Sequence, residues 1–129
     1  MKENSGVKLH HWDDMEEEAL SSLITRKMMW GDRVMLSQVF IKAGGVVPLH
    51  QHDNEQFSYM LTGSMKFWLE RDGGEEIIVR AGDVLHLPSN VPHGAVALED
   101  AMSLDVFSPP RADWIAGTDA YLRGDEEAP

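Results

Sequence analysis

Residues 44–63 read GGVVPLHQHDNEQFSYMLTG, and this stretch decides the fold. His50 and His52 sit one residue apart. Side chains at i and i+2 of a β-strand point to one face, so both imidazoles can reach a single metal ion. Imidazole is also the commonest metal ligand among side chains. Gln56 follows at even spacing, and a strand that resumes there aims it the same way. Gly44 opens the stretch and Gly63 closes it, where tight turns at strand ends are expected.

Residues 82–93, GDVLHLPSNVPH, answer the first stretch. Gly82 gives a turn, Val84 to Leu87 a short strand, and Pro88-Ser-Asn another turn. Pro92 then leads into His93, a third imidazole from a separate strand. One strand cannot build such a cluster; two can.

The two stretches together resemble the paired sequence motifs of the cupin superfamily. Gly44, His50, His52, Gln56 and Gly63 fall on the first motif, with Gln56 where the family usually has Glu. Gly82, Pro88, Asn90 and His93 fall on the second. Asn90 replaces a family glycine, and Ala97 replaces a final Asn. The resemblance implies an all-β fold, a cupin jelly-roll β-barrel built as an antiparallel β-sandwich. It also implies a divalent metal held by His50, His52, Gln56 and His93.

The rest of the chain agrees with one such barrel. Its 129 residues suit a single core of modest size. Residues 1–32 read as a leader with the first strands, 33–111 as the barrel, and 112–129 as a turn or short helix with a tail. Residues 1–8 read as loosely attached, and the acidic run from Asp13 to Glu18 as too short for a stable helix. Ile24 to Trp30 and Arg33 to Ala43 read as strands about a Gly31-Asp32 turn. Met28, Met29 and Met35 read as core packing rather than ligands. Met65, Phe67 and Leu69 alternate with polar neighbours, as in a half-buried antiparallel strand. Arg71-Asp-Gly-Gly reads as a tight turn, and Glu76 to Arg80 as the return strand. N-terminal strands such as Ile24 to Trp30 and Arg33 to Ala43 often pair with a second subunit in cupins, so the resemblance implies a homodimer.

Composition excludes several classes. There is no cysteine, so disulfides and thiolate ligands are ruled out and any metal is held by nitrogen and oxygen. The net charge of −11 is spread along the chain, with no basic stripe to meet phosphates, which argues against nucleic acid. No apolar run approaches the ~18 residues of a membrane span, and no signal-like apolar stretch opens the chain, so the cytoplasm is the expected compartment. His10 and His11 are adjacent, so a strand would point them to opposite faces, and they are not expected to be ligands. His86 reads as lying behind the metal shell or buried beside the barrel strands, not as a fourth histidine ligand.

Residues 104–121, LDVFSPPRADWIAGTDAY, carry the remaining signal. Asp105 and Phe107 alternate onto one face of a strand, Pro109-Pro110 ends it, and Arg111 follows at the barrel rim. A cation there can pair a carboxylate bidentately, or make a structural salt bridge. Together with the HxH motif, this run resembles bacterial cupins of pectin and alginate breakdown that linearise 4,5-unsaturated uronates. The resemblance implies Asp105, Phe107 and Arg111 as catalytic residues acting on a small anionic sugar or organic acid. The metal would be Zn, Ni, Fe, Cu or Mn, since nitrogen and oxygen donors suit all of them. A non-catalytic small-molecule or sugar-binding cupin and a cupin-type metal-dependent oxygenase are the alternatives.

Overall fold

Ile24–Trp30 (β2) and Met35–Ile41 (β3) form the hairpin expected near Gly31. Its turn takes four residues, with the Gly31 N–H donating to the Val34 carbonyl, so β3 begins two residues later than the sequence suggested. The structure, a computed structural model, describes residues 6–70 and 74–124. The turn expected at Arg71-Asp-Gly-Gly falls mostly on residues 71–73, and the start of the loosely attached leader on 1–5; both lie outside the described residues. The acidic leader forms a single 3₁₀ turn, Trp12–Asp14, and then a two-residue strand, Glu18–Ala19 (β1), which pairs with β2.

The other strands are Val46–His50 (β4), Glu55–Thr62 (β5), Ser64–Trp68 (β6), Glu76–Arg80 (β7), Val84–Leu87 (β8), His93–Ala97 (β9) and Ala101–Ser108 (β10). They make two sheets, all pairings antiparallel: six strands in the order β1-β2-β3-β10-β5-β8, and four in the order β4-β9-β6-β7. The two sheets form the sandwich of the jelly-roll fold. Among the described residues no helix is long and apolar enough to cross a membrane.

Alternation decides which side chains enter the sandwich. Met35, Val39 and Ile41 of β3, Met60 of β5, Met65 and Phe67 of β6 and Phe107 of β10 are buried between the sheets. The methionines divide by the same rule. Met35 is fully buried and Met28 packs against the core, whereas Met29 alternates to the outer face, a correction to its reading as core. There the registers line up Met29, Leu36, Val106 and Phe57 in one row, and Leu104 and Tyr59 in the next.

Closing Gly63 joins β5 to β6 at φ 77°, and a Cβ there would collide with the Asp100 carbonyl and with Ala101. No other residue fits both constraints. After β10 the chain forms a short helix, Ala112–Ala116 (α1), and a 3₁₀ turn, Ala120–Leu122. Trp114 and Leu122 from this segment join the core.

Four charges hold the segment in place. Arg26 of β2 bonds Glu18 through Nε (3.0 Å) and Asp119 through Nη1 (2.6 Å). Arg123 bonds the other oxygen of each carboxylate, Asp119 at 2.9 Å and Glu18 at 2.8 Å. The result is a closed ring of alternating charges, and Arg26 and Asp119 have no solvent exposure.

Candidate metal centre

His50 ends β4 and His93 begins β9, and the two are direct partners across that strand pair. The pairing is irregular between Val47 and His50, around Pro48. His52 lies beyond the end of β4, in the turn toward β5, so strand parity is not what aims it. Hydrogen bonds do. The Nδ1 of His50 is 2.8 Å from the Pro48 carbonyl, that of His52 2.9 Å from the Asn54 carbonyl, and that of His93 2.9 Å from the Val91 carbonyl. A carbonyl only accepts, so each Nδ1 carries the proton and each Nε2 keeps a free lone pair. One donor atom from each histidine lies within 4.8 Å of the others. His50, His52 and His93 thus form a candidate metal site.

The donors are also free of competing protons. Burial, reinforced by the positive charge of neighbouring histidines, pushes the His50 pKa down to about 3. Burial and Arg111 push His52 down to about 4, and burial lowers His93. All three imidazoles are neutral near pH 7, the state a metal requires.

Gln56 opens β5, is buried, and places Oε1 3.1 Å from the Nε2 of His52. The Ser58 hydroxyl gives its proton to the Asp105 carboxyl and so accepts from Gln56 Nε2 at 2.8 Å, which leaves Oε1 facing the histidines. Two lone-pair acceptors therefore face each other. Such a contact is unfavourable unless a cation lies between them, so the donor set fits a metal ion. Ser58 was not singled out by the sequence, although its even spacing from Gln56 marks it as a neighbour on the same face.

Asn90 joins the two motifs. It adopts φ 63°, the left-handed region, and its backbone N–H donates to the His52 carbonyl at 2.8 Å. Asn tolerates this region better than other residues with a Cβ, which is why it can stand where the motif has glycine. Asn54 ties the same loop to the end of β10, through side-chain bonds to the Pro109 carbonyl (2.6 Å) and the Pro110 carbonyl (3.2 Å).

Asp105, mid-strand in β10, lies opposite Ser58 and Ser37. It is 8% exposed, and its Oδ1 has no hydrogen-bond partner among the described residues. Burial pushes its pKa up to about 6, against the pull of the Ser58 and Ser103 hydroxyls and of Arg111. Phe107 is buried, with its ring edge-on to His52 at 5.9 Å. His50, Gln56, His93, Asp105, Phe107 and Arg111 line one cavity of about 50 Å³.

Arg111 is 2% exposed rather than displayed at an open rim. Its Nε and Nη2 bind the two oxygens of Asp113 at 3.0 and 2.9 Å, and Nη2 also donates to the Tyr121 hydroxyl at 2.7 Å. The bidentate edge expected for a ligand carboxylate is therefore occupied by a local ion pair. Only Nη1 is without a hydrogen bond among the described residues. Tyr121, which the sequence did not mark, stacks on His50 with ring centroids 4.4 Å apart. Only the packing of the C-terminal segment brings it there, and no local spacing announces it.

His86 corrects an expectation. It is exposed, bonds Glu55 at 2.7 Å and stacks on Phe57. Register explains this: Leu87 pairs with inward Gln56, so His86, paired with Phe57, must face outward. His10 and His11 are exposed and take no part in the histidine cluster.

Comparison with known proteins gives the family of the fold. The Cupin domain family model matches residues 37–108. The structure is similar to that of KdgF from a Halomonas species, 32% identical, with a TM-score of 0.72 over 79% of this chain and 93% of that one. It is also similar to an RmlC-like cupin from Shewanella frigidimarina, 26% identical, with a TM-score of 0.73 over 81% of this chain and 93% of the other. The oxalate decarboxylase OxdC of Bacillus subtilis is 34% identical over 62 residues, which is 46% of this chain but only 16% of that protein's length.

Proposed function

The chain belongs to the cupin family, and from that premise we propose that it is a metal-dependent enzyme that opens and ketonises 4,5-unsaturated uronates. One observation carries the reading: two neutral imidazoles, His50 and His93, line one cavity with a neutral amide, a buried carboxyl with a pKa of about 6 and a buried guanidinium, and the neutral His52 completes the histidine cluster beside it. The motif resemblance to uronate-linearising cupins and the likeness to KdgF over most of both chains support it.

His50, His52, Gln56 and His93 would hold one divalent ion, which supplies Lewis acidity toward an anionic oxygen donor. None of the four donors carries a charge, so the protein leaves that acidity undiminished. Asp105 takes the proton from the O1 hydroxyl of the sugar as the C1–O5 bond breaks. The products of that step are an aldehyde and a C5 enolate. Asp105 then delivers the proton to C4, leaving a C5 ketone, so the reaction is an isomerisation with no other reactant. A pKa of about 6 suits a group that must both accept and donate near neutrality. Arg111 meets the substrate carboxylate through Nη1, and Phe107 walls the sugar.

The C4=C5 double bond conjugated to the carboxylate absorbs in the ultraviolet, and ketonisation destroys it. Metal-loaded protein should speed the absorbance loss above the buffer rate for unsaturated monomers derived from galacturonate or from alginate, and a chelator should stop it. Decay at the buffer rate for both would overturn the reading.

A second reading, a binding module for a small acid, is favoured by the enclosure of the site. A cavity of about 50 Å³ holds a few waters, less than a monosaccharide, unless the C-terminal segment yields. Product analysis separates the two, because a binder returns its ligand unchanged. A cytoplasmic homodimer completes the proposal, with the apolar outer rows of the six-stranded sheet as the surface a second copy would cover.

A further inference from the structure

Among the described residues the His50 imidazole has one hydrogen bond, from Nδ1 to the Pro48 carbonyl. A single bond fixes the direction of the N–H but lets the ring rock about it. The opposite nitrogen then sweeps an arc, and a metal donor cannot do that without losing affinity. Something else must fix the plane of the ring.

We propose that Tyr121 is a positioning residue of the centre: its ring clamps the plane of His50 and so aims Nε2 at the other two histidines. The rings are nearly parallel, 24° apart in plane and 4.4 Å between centroids. Tyr121 is itself immobilised, which a clamp requires. Its hydroxyl accepts from Arg111 Nη2 at 2.7 Å and from Trp114 Nε1 at 3.2 Å. Its neighbours Asp119 and Arg123 belong to the ionic ring on Arg26 and Glu18, and the 3₁₀ turn that carries it packs on β4. The inference rests on the reading of the histidines as metal donors.

Metal affinity in the absence of substrate tests it, with Zn²⁺ or Co²⁺ titrated against a chromophoric chelator. Tyr121→Phe keeps the stacked ring but loses the two hydroxyl bonds that hold it, and should lose less affinity than the variants without a ring. Tyr121→Leu removes it and should lose about 10–100-fold, the range typical of a lost partner behind a ligand. Tyr121→Met matches the volume of Leu in an unbranched chain without a planar ring, and should lose as much as Leu if the ring and not the packing shape is the cause. The visible spectrum of the Co²⁺ form should shift most in the Leu and Met variants and least in Phe. A His93→Ala control tests the underlying reading. If the parent binds metal and His93→Ala does not, but folded Leu or Met variants bind like the parent, the clamp is wrong and the metal reading stands. If the parent binds none, or His93→Ala binds like the parent, both are overturned.

Discussion

The backbone N–H of Asn90 donates to the carbonyl of His52 at 2.8 Å, so the turn before β9 holds the loop after β4. The bond exists because Asn90 sits at φ 63°. Asn90→Gly should keep both, with stability within about 0.5 kcal/mol of the parent, because glycine adopts this region freely. Asn90→Ala should cost about 1–2 kcal/mol, the penalty for a Cβ in the left-handed region, and should weaken metal binding through His52. Urea denaturation compares the two, and equal midpoints for Gly and Ala would show that the backbone at 90 is unstrained.

The donor set makes its own prediction. His50→Ala, His52→Ala and His93→Ala should each remove most bound metal, more than the ~10–100-fold typical of losing an outer partner. Gln56→Ala should cost less, since a neutral amide oxygen is the poorest of the four donors. Gln56→Glu should keep or tighten binding by adding charge, while lowering the Lewis acidity of the ion. Metal content after dialysis measures all five. Unchanged affinity in Gln56→Glu, with its side chain turned from the histidines, would remove Gln56 from the shell.

Much of this was legible in the sequence because glycines, prolines and histidines act locally. The strands Ile24–Trp30, Glu76–Arg80 and Val84–Leu87 follow from alternation and turns alone, and the three histidines meet as their motifs imply. What escaped is long-range. Arg26 and Asp119 are 93 residues apart in the chain, and nothing near either announces a partner. Tyr121 reaches His50 only after the C-terminal segment has folded over the barrel. His86 was misjudged because the turn at Pro88-Ser-Asn breaks parity between β8 and β9, while register with Phe57 decides its face. Arg111 was half legible: its place beside the site was expected, but Asp113, two residues on, takes its bidentate edge.

The ionic ring should be strongly asymmetric. Asp119→Ala leaves the wholly buried Arg26 with Glu18 as its one carboxylate among the described residues, and breaking a buried pair costs about 3–5 kcal/mol. Arg123→Ala removes a side chain one-third exposed, where ion pairs contribute about 1 kcal/mol or less. Comparable losses from the two variants in urea would mean that the ring acts as surface charge and not as a buried clasp.

The outer rows of the six-stranded sheet predict an assembly. Phe57 and Tyr59 are 43% and 42% exposed, beside half-buried Leu104 and Val106. Apolar patches of this kind mark interaction surfaces more often than free ones. The parent should run as a dimer in light scattering, and Tyr59→Lys with Val106→Lys should give a folded monomer. A monomeric parent at concentrations of tens of micromolar would leave this face without a second copy.

Asp105 joins stability to activity. Its pKa is raised from 3.8 to about 6, chiefly by burial, so the fold prefers the protonated carboxyl. The unfolded chain releases that proton near 3.8 and the folded chain only near 6. The stabilising contribution is therefore fully present below about 3.8 and is lost as pH rises through about 6. Asp105→Asn keeps the shape and has no proton to lose. In metal-free protein it should match the parent near pH 4 and become more stable as pH rises to 7. The gain should be about 3 kcal/mol, since each tenfold change in proton affinity is worth about 1.4 kcal/mol. Urea denaturation across that range reads the difference directly, and an equal gain at both ends would mean that burial of the charge is not its source. The same substitution should abolish ketonisation with metal content unchanged, because the carboxyl is the proton carrier and not a donor to the ion. Activity surviving in Asp105→Asn would assign the proton to another group, while loss of activity with a stability gain confined to neutral pH would tie both effects to the one buried charge.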